Sequence, residues 1–363
     1  IYQIFPDRFF NGNPANDAAK ATAHGAEPAA LKQWNDLPGI PNVNDNDAYF
    51  NNDFFGGDLE GIRQKLDYLQ SLGVTVLYLN PIFTAASNHK YDPGNYEQID
   101  PMFGTAEDFK NLTDELRKRG MYLMLDGVFN HVGDDSIYFD RYGKYKEVGA
   151  YEYWARVYET MNAKNATQAD AQRMAEEQFA SEGTPLAPYA PQTWFKIENT
   201  QENGHFRYEG WSGYDSLPVI QAPENGTVLQ VSELNNQKWA AYILLNDDAI
   251  AKRWIKSGAS GWRLDVAPEI DAAFWREFRK QIKPMTLPNG EPPVILGETF
   301  QDAAHFFLGD QFDSVMNYGF RYAIQKLLMV DGDAAAAAAL LRGLQQNYPK
   351  EAVYNLMNLF GSH

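Results

Sequence analysis

Short, continuous apolar runs alternate along this chain with amphipathic stretches of helical period, and this alternation constrains the fold more than any other feature. A typical pair is the helical stretch 58–72 and the apolar run 74–79, separated by Gly73. Strands that are apolar throughout need both faces covered, which is typical of a parallel sheet enclosed by helices. The sequence therefore predicts an α/β fold of the (β/α)8 TIM-barrel type.

The pattern predicts seven barrel strands, and one long segment interrupts it. The predicted strands lie near residues 1–5, 74–79, 121–125, 261–265, 293–297, 312–315 and 353–359, and the eighth is missing. The interrupting segment is aromatic and polar, with irregularly spaced Pro and Gly and one predicted helix near 166–180. We therefore expect strands one to three within 1–131, an inserted subdomain over 132–240, and strands four to seven within 241–363.

Composition excludes several classes of function. Forty-eight acidic and 31 basic residues give a net charge of −17, which repels the phosphates of nucleic acids and anionic lipids. No apolar run approaches the roughly 18 residues that a membrane span needs, so we expect neither nucleic acid nor membrane as a partner. The absence of cysteine removes thiol chemistry but leaves the compartment open. The motifs of phosphate-binding loops, serine hydrolases and zinc proteases are absent.

Four polar clusters lie at the carboxyl ends of predicted strands, where a (β/α) barrel builds its active site. They cover residues 126–131, 261–269, 294–298 and 358–363. In the second cluster, Arg263 and Asp265 are two residues apart on a strand, so their side chains share a face. We expect the Arg263 guanidinium to keep the Asp265 carboxylate ionised, as a nucleophile requires.

A second carboxylate, Glu298, follows the next predicted strand. Two carboxylates at neighbouring strand ends can face each other across a cleft, which is the arrangement that cleaves glycosidic bonds. Like-charge repulsion from Asp126 would favour the protonated form of Glu298, as a general acid requires. Each residue alone could equally be a helix cap, a turn former or half of a structural ion pair. The four clusters together, on successive predicted strands, favour catalysis.

These segments resemble the signature regions of the α-amylase family of glycoside hydrolases, family 13, over essentially the whole chain. The resemblance implies that Asp265 is the nucleophile of a retaining reaction and forms a covalent glycosyl-enzyme. It implies that Glu298 acts first as the acid and then as the base. The expected substrates are starch-type α-glucans with α-1,4 bonds, and cleavage of α-1,6 bonds is left open.

The resemblance also implies which residues bind the substrate. They are Tyr91, His89, Asp126, His131, Arg263, Glu269 and His363. Tyr91 would stack on the reacting sugar, because sugar rings present apolar C–H faces, although alone it could be an ordinary tyrosine. Aromatic residues of the inserted segment are expected to line one wall of the cleft. They are Trp194, Phe195, Tyr208, Trp211 and Tyr214.

Two segments rich in oxygen donors, 11–17 and 56–58, suit a hard cation such as Ca²⁺, although the first alone could be a polar turn. Both resemble the calcium site of the neopullulanase and cyclomaltodextrinase branch of the family. The resemblance implies Ca²⁺ bound by Asn11, Asn13, Asn16, Asp17, Gly56 and Asp58. The segment 217–220 lies where that branch has a Met-Pro-Lys-Leu motif, but Val219 replaces the lysine.

The chain starts directly on a predicted strand and stops at His363, one residue before the aspartate that the family's fourth region would supply. We therefore expect a catalytic domain truncated at both ends, with two of the three catalytic carboxylates and no activity as written. Two alternatives remain open, an α-glucan transglycosylase and a non-catalytic glucan-binding relative. The presence of both Asp265 and Glu298 favours an enzyme. The sequence leaves the oligomeric state open.

Overall fold

The computed structural model describes residues 1–20, 28–39, 51–220, 237–330 and 332–362. Seven parallel strands form one sheet whose spatial order follows the chain order. They are β1 (Tyr2–Ile4), β2 (Val76–Leu79), β3 (Tyr122–Gly127), β4 (Gly261–Leu264), β5 (Val294–Gly297), β6 (Ser314–Asn317) and β7 (Met357–Asn358). Sequential parallel winding is the topology of a (β/α) barrel, so the predicted fold class is confirmed. An eighth strand is not seen in the described ranges.

Helices connect the strands. They are α1 (Leu59–Gln64), α2 (Leu66–Ser71), α3 (Ala106–Lys118), α4 (Ala150–Lys164), α5 (Gln168–Glu182), α6 (Gln237–Ala240), α7 (Ile250–Lys256), α8 (Ala272–Ile282), α9 (Tyr318–Gln325), α10 (Ala334–Asn347) and α11 (Lys350–Asn355). The helix predicted over 58–72 is divided at Lys65, and α11 occupies the first residues of the strand predicted over 353–359. Asp58 caps α1 by accepting a hydrogen bond from the Gly61 amide at 2.6 Å.

Both faces of the sheet are covered, which explains its apolar strands. On the outer face, Leu77, Leu123, Trp262 and Ile295 belong to the main core under the helices. On the inner face a second cluster fills the barrel. It consists of Tyr78, Met124, Leu296, Met316, Tyr318 and Leu359. Side chains alternate between these two clusters along β2, β3, β5 and β6, as the period of two requires.

The segment between β3 and β4 contains α4, α5 and a hairpin of Ile197–Glu202 with His205–Tyr208. The prediction of a single helix within 132–240 was wrong, because α4 and the short α6 were missed. The aromatic residues of α4 favour strands by intrinsic propensity. Here Tyr153 packs on Phe179 of α5 and donates a hydrogen bond to Glu176, and Tyr158 packs on Phe206 of the hairpin. The boundaries 132–240 of an inserted subdomain stay a prediction.

The predicted aromatic wall of the cleft is wrong for three of its members. Trp194, Phe195 and Tyr208 are buried in the core, where they pack against other aromatic rings. Tyr214 is exposed, and Trp211 is half-buried against His131. In the ranges that the structure describes, no helix combines the length and apolar character required to cross a bilayer.

Candidate active site

Three adjacent strands bring the predicted catalytic residues together. Arg263 on β4 lies in register with Asp126 on β3 and with Leu296 on β5. Asp265 directly follows β4, and Glu298 directly follows β5. Because the strands are parallel, their carboxyl ends meet at one edge of the sheet, and the three carboxylates surround the Arg263 guanidinium.

The Arg263 guanidinium is fully buried and contacts all three carboxylates. Its Nη1 lies 2.8 Å from Asp126 Oδ1 and 2.7 Å from Asp265 Oδ1, and its Nη2 lies 2.6 Å from Glu298 Oε1. Its Nε lies 3.3 Å from the sulfur of Met316. The carboxylates themselves are only 1%, 5% and 4% exposed, respectively. One positive charge therefore faces three buried acidic groups.

Burial and this imbalance of charge together raise the pKa of Asp265. Burial raises the pKa of the Asp265 carboxyl well above its usual range, and the charges of Asp126 and Glu298 raise it further, while Arg263 lowers it. Arg263 acts on Asp265 in the expected sense, but its charge is shared among three carboxylates, so an ionised Asp265 stays a prediction. Protons in such a cluster belong to the coupled group. One protonated carboxyl beside an ionised one is the pairing that acid and nucleophile need.

Two tyrosines that the sequence did not single out hold these carboxylates. Tyr78 on β2 donates a hydrogen bond to Asp126 Oδ2 at 2.5 Å, and Tyr318 donates to Glu298 Oε1 at 3.1 Å. The sequence feature that could have identified Tyr78 is its hydroxyl group at an inward position of an otherwise apolar strand. Tyr318 gave no comparable signal, because it lies in the first turn of a helix.

The residue after the nucleophile has a strained backbone. Val266 has φ 40° and ψ 46°, in the left-handed region that β-branched residues rarely adopt, at a cost of about 1–3 kcal/mol. Its amide donates to Glu298 Oε2 at 3.1 Å, and the next amide donates to the Glu298 carbonyl at 3.1 Å. The strained turn thus ties the end of β4 to the end of β5.

The predicted sugar-binding residues on the loop after β2 lie beside this cluster. Tyr91 donates a hydrogen bond to Asp126 Oδ2 at 2.8 Å, and its ring centre lies 5.9 Å from the Arg263 guanidinium carbon. His89 Nδ1 accepts a hydrogen bond from the Tyr91 amide at 3.0 Å. The ring centres of His89 and Tyr91 are 5.9 Å apart, so the structure brings both residues to the site.

His131 supports Tyr91 and is itself buried. Its Nε2 lies 2.9 Å from the Tyr91 carbonyl oxygen, and its ring stacks on Trp211 at 5.3 Å between centres. Burial lowers the pKa of His131 to about 4, so the ring is neutral near pH 7. A neutral ring bonded in this way carries its proton on Nε2. Sequence reasoning missed the contact with Trp211, which joins the segment between β3 and β4 to the site.

The remaining predicted residues lie at the edge of the site. Glu269 is exposed and accepts a long hydrogen bond from Asn130 at 3.4 Å. His363 lies outside the described residues. Its neighbour Ser362 has its hydroxyl 3.3 Å from that of Tyr318, so the described end of the chain reaches the side of the cluster that holds Glu298.

The predicted calcium residues also lie together. Asp58 accepts hydrogen bonds from the Gly12 and Asn13 amides at 3.0 and 2.9 Å, and from Asn16 Nδ2 at 3.2 Å. Asn11 Nδ2 lies 2.8 Å from Asp17 Oδ1. A side chain at Gly56 would place its Cβ 2.7 Å from Asn11 Nδ2 and 2.8 Å from Asp17 Oδ1. The position therefore requires glycine.

Two amide oxygens in this group, Asn11 Oδ1 and Asn16 Oδ1, are buried without a hydrogen-bond partner. Within the described part of the chain, no group of three or more His, Cys, Asp or Glu side chains is arranged to bind a metal. The donors here are instead two carboxylates together with amide oxygens, a set that suits Ca²⁺ better than a transition metal.

Comparison with known proteins agrees with this geometry. The family model described as "Alpha amylase, catalytic domain" matches residues 3–352. The chain belongs to the α-amylase family. It is 43% identical to the amylopullulanase of Thermoanaerobacterium saccharolyticum over an alignment of 386 positions, and 34% identical to neopullulanase 2 of Thermoactinomyces vulgaris over an alignment of 365 positions. These alignments cover the whole chain but only 27% and 49% of the two relatives.

Comparison with a solved structure confirms the architecture. The ligand-free cyclic α-maltosyl-(1→6)-maltose hydrolase from Arthrobacter globiformis is 31% identical and superposes with a TM-score of 0.71. The match covers all of this chain and 64% of that protein. The predicted family is therefore confirmed, and the chain spans about a quarter to two thirds of the length of the three proteins compared.

Proposed function

We propose that this chain is the catalytic part of a retaining glycoside hydrolase that cleaves α-1,4 bonds in starch-type glucans. The observation that carries the proposal is the buried Arg263 joined to Asp126, Asp265 and Glu298 at adjacent strand ends. The named activities of the relatives, an amylopullulanase, a neopullulanase and a maltosyl-maltose hydrolase, support the same substrate class.

In the first step, protonated Glu298 donates its proton to the glycosidic oxygen while the Asp265 carboxylate attacks the anomeric carbon. The bond to the leaving sugar breaks, and a covalent glycosyl-enzyme forms on Asp265. In the second step, ionised Glu298 takes a proton from water, and the water oxygen attacks the anomeric carbon. The bond to Asp265 breaks, and two inversions together retain the α configuration.

The surrounding residues prepare this chemistry. Arg263, Tyr78 and Tyr91 all donate hydrogen bonds to Asp126, so this carboxylate holds the Tyr91 hydroxyl and the Arg263 guanidinium in place. The half-buried Tyr91 ring offers a stacking surface for the reacting sugar. Because the cluster is almost fully buried, its charges act in a medium of low polarity, where they stabilise developing charge more strongly than in water.

Paired substitutions test the two roles in the full-length protein that carries this chain. Asp265→Asn and Glu298→Gln should each lower kcat on maltotetraose by about a thousandfold or more. With α-maltosyl fluoride, whose leaving group needs no acid, Glu298→Gln should still form the glycosyl-enzyme, and Asp265→Asn should not. Asp313→Asn is the control, because this carboxylate pairs with Lys283 and Arg279 outside the cluster.

Near-normal activity in either variant, or β products in proton NMR of the first turnovers, would contradict the assignment. Product analysis on starch, pullulan and cyclodextrin then determines the linkages cleaved. Transfer products at high maltotetraose concentration would identify the transglycosylase alternative. Binding of maltotetraose without cleavage would identify a non-catalytic relative.

We also propose that Asn11, Asn13, Asn16, Asp17, Gly56 and Asp58 form a Ca²⁺ site. The unpartnered Asn11 and Asn16 oxygens and the two nearby carboxylates support it. A bound ion would neutralise the carboxylates and fix the segment 11–17 against α1, so its role is structural. Chelation with EGTA should lower Tm, and added Ca²⁺ should restore it.

The control for the calcium proposal is a matched pair of substitutions. Asp17→Asn should abolish the response of Tm to Ca²⁺, whereas Asp36→Asn, at an exposed carboxylate outside the group, should retain it. A wild-type Tm that ignores both EGTA and Ca²⁺ would remove the site.

A further inference from the structure

A lysine with a fully buried side chain lies in the middle of the loop that carries the sugar-binding residues. Lys90 separates His89 from Tyr91, and its ammonium group lies 2.8 Å from Asp100 Oδ2 and 3.4 Å from the Ala85 carbonyl oxygen. Neither ionic group is exposed. The reaction proposed above does not use this pair.

Asp100 connects this lysine to the rest of the molecule. Its Oδ2 also accepts a hydrogen bond from the Ala85 amide at 3.2 Å, and its Oδ1 accepts one from the Met102 amide at 3.1 Å. Lys20 provides a second ammonium group 2.7 Å from the same Oδ2. The loop 87–92 connects the two strands of an antiparallel hairpin, Phe83–Ala85 and Pro93–Ile99. The Asp100 carboxylate therefore joins the end of the first strand to the segment that follows the second.

The environment of the Lys90 ammonium is otherwise aromatic. It lies 5.1 Å from the ring centres of both Phe54 and Phe103. Burying a charge is costly even when it is paired, and a methionine of similar length would fill the same space without that cost. The ion pair must therefore supply something that apolar packing would not.

The ion pair holds the backbone turn at Lys90 in one conformation. Lys90 has φ 63°, in the left-handed region, which costs a residue other than glycine about 1–2 kcal/mol. Its amide donates to Ser87 Oγ at 2.9 Å, which closes the turn. With the Lys90 side chain held inward by Asp100, Tyr91 extends to Asp126.

We propose that Lys90 is a positioning residue, which through its ion pair with Asp100 holds Tyr91 in the orientation that stacks on the reacting sugar. This inference rests on the proposed function, because it assumes that a sugar binds at Tyr91. A purely structural ion pair would stabilise the hairpin without affecting the reaction of a bound sugar. The two roles make different predictions for the coupling between Lys90 and Tyr91.

The test is a double-mutant cycle in the full-length protein with α-glucosyl fluoride, whose single sugar reacts beside Tyr91. Lys90→Met should lower kcat/KM about tenfold in the wild-type background and less than twofold in a Tyr91→Ala background, because the residue it positions is then absent. Lys20→Met is the matched control. It removes the other ammonium group from Asp100, and it should change Tm but leave kcat/KM within twofold.

A wild-type protein that does not hydrolyse the fluoride would refute the proposed function and this inference with it. If the wild type is active, two results overturn the inference alone: a Lys90→Met variant within twofold of wild type, or an equal tenfold loss in both backgrounds. Should Lys90→Met not fold, Asp100→Asn takes its place in the cycle. That variant keeps an oxygen for the Met102 amide, and the same outcomes decide.

Discussion

The proposed chemistry depends on one buried cation shared among three acids. Arg263 contacts Asp126, Asp265 and Glu298, and it has no exposed surface through which water could screen its charge. Removing one carboxylate therefore changes the charge felt by the other two. The pH dependence of activity should accordingly report the cluster as a whole, with apparent pKa values that belong to no single residue.

At the residue scale, His131 should make the protein sensitive to acid. Its pKa is about 4 in the folded state and near 6.5 when unfolded, so between these values the unfolded state binds more protons. The free energy of unfolding is therefore unaffected by protonation of His131 above pH 6.5. It falls as the pH is lowered toward 4, by up to about 3 kcal/mol, because the unfolded state takes up the proton first. Urea unfolding at pH 4.5 and 7.5 measures this loss of free energy of unfolding, which should be smaller in His131→Gln than in the wild type.

The control for this prediction is His305→Gln, which replaces an exposed histidine and should leave the pH dependence unchanged. Asp92 and His89 act on the His131 ring in opposite senses, and both remain in the two variants. Equal acid sensitivity in wild type and His131→Gln would show that the carboxylates alone account for it.

At the scale of elements, two glycines in helices should respond to alanine with opposite signs. A Cβ at Gly61 in α1 would lie 1.7 Å from the Phe10 carbonyl oxygen, so the backbone of the segment before the proposed calcium residues would have to move. Gly61→Ala should lower the free energy of unfolding by about 3 kcal/mol or more. At Gly343 in α10 nothing lies within 4 Å, and Gly343→Ala should raise it by about 0.5–1 kcal/mol.

Urea unfolding measures both changes. Alanine favours a helix at both positions, so opposite changes in the free energy of unfolding would show the steric effect of the close approach of α1 to Phe10. Similar effects of the two substitutions would mean that α1 can move away from this segment.

The approximate positions of the strands, and the gathering of the carboxylates at one edge of the sheet, could be predicted from the sequence for a physical reason. Continuous apolar runs indicate strands buried on both faces, and polar residues that follow such runs must gather at one edge of a parallel sheet. The roles of Tyr78 and Trp211 could not be predicted in this way. Tyr78 reaches Asp126 only because β2 lies beside β3, and Trp211 reaches His131 across 80 residues of chain whose path depends on tertiary packing.

The sheet is least stable at its two edge strands. At its centre, β4 shares four register pairs with β3 and four with β5, whereas β7 shares two with β6. Strand β1 pairs only with β2 in the described part of the chain, through three pairs. In the described part of the chain each edge strand is paired with another strand on one side, so it can open without disturbing the core. Protection from exchange should therefore fall from β4 toward β1 and β7.

Hydrogen–deuterium exchange with mass spectrometry tests this gradient in the isolated chain and in the full-length protein. Amides of β3 and β4 should exchange slowest in both, and those of β7 should exchange orders of magnitude faster in the isolated chain. If an eighth strand closes the barrel in the full-length protein, β1 and β7 should gain protection there, while β3 and β4 stay unchanged. Equal protection across the sheet would contradict the gradient, and edges that gain nothing in the full-length protein would contradict closure by an eighth strand.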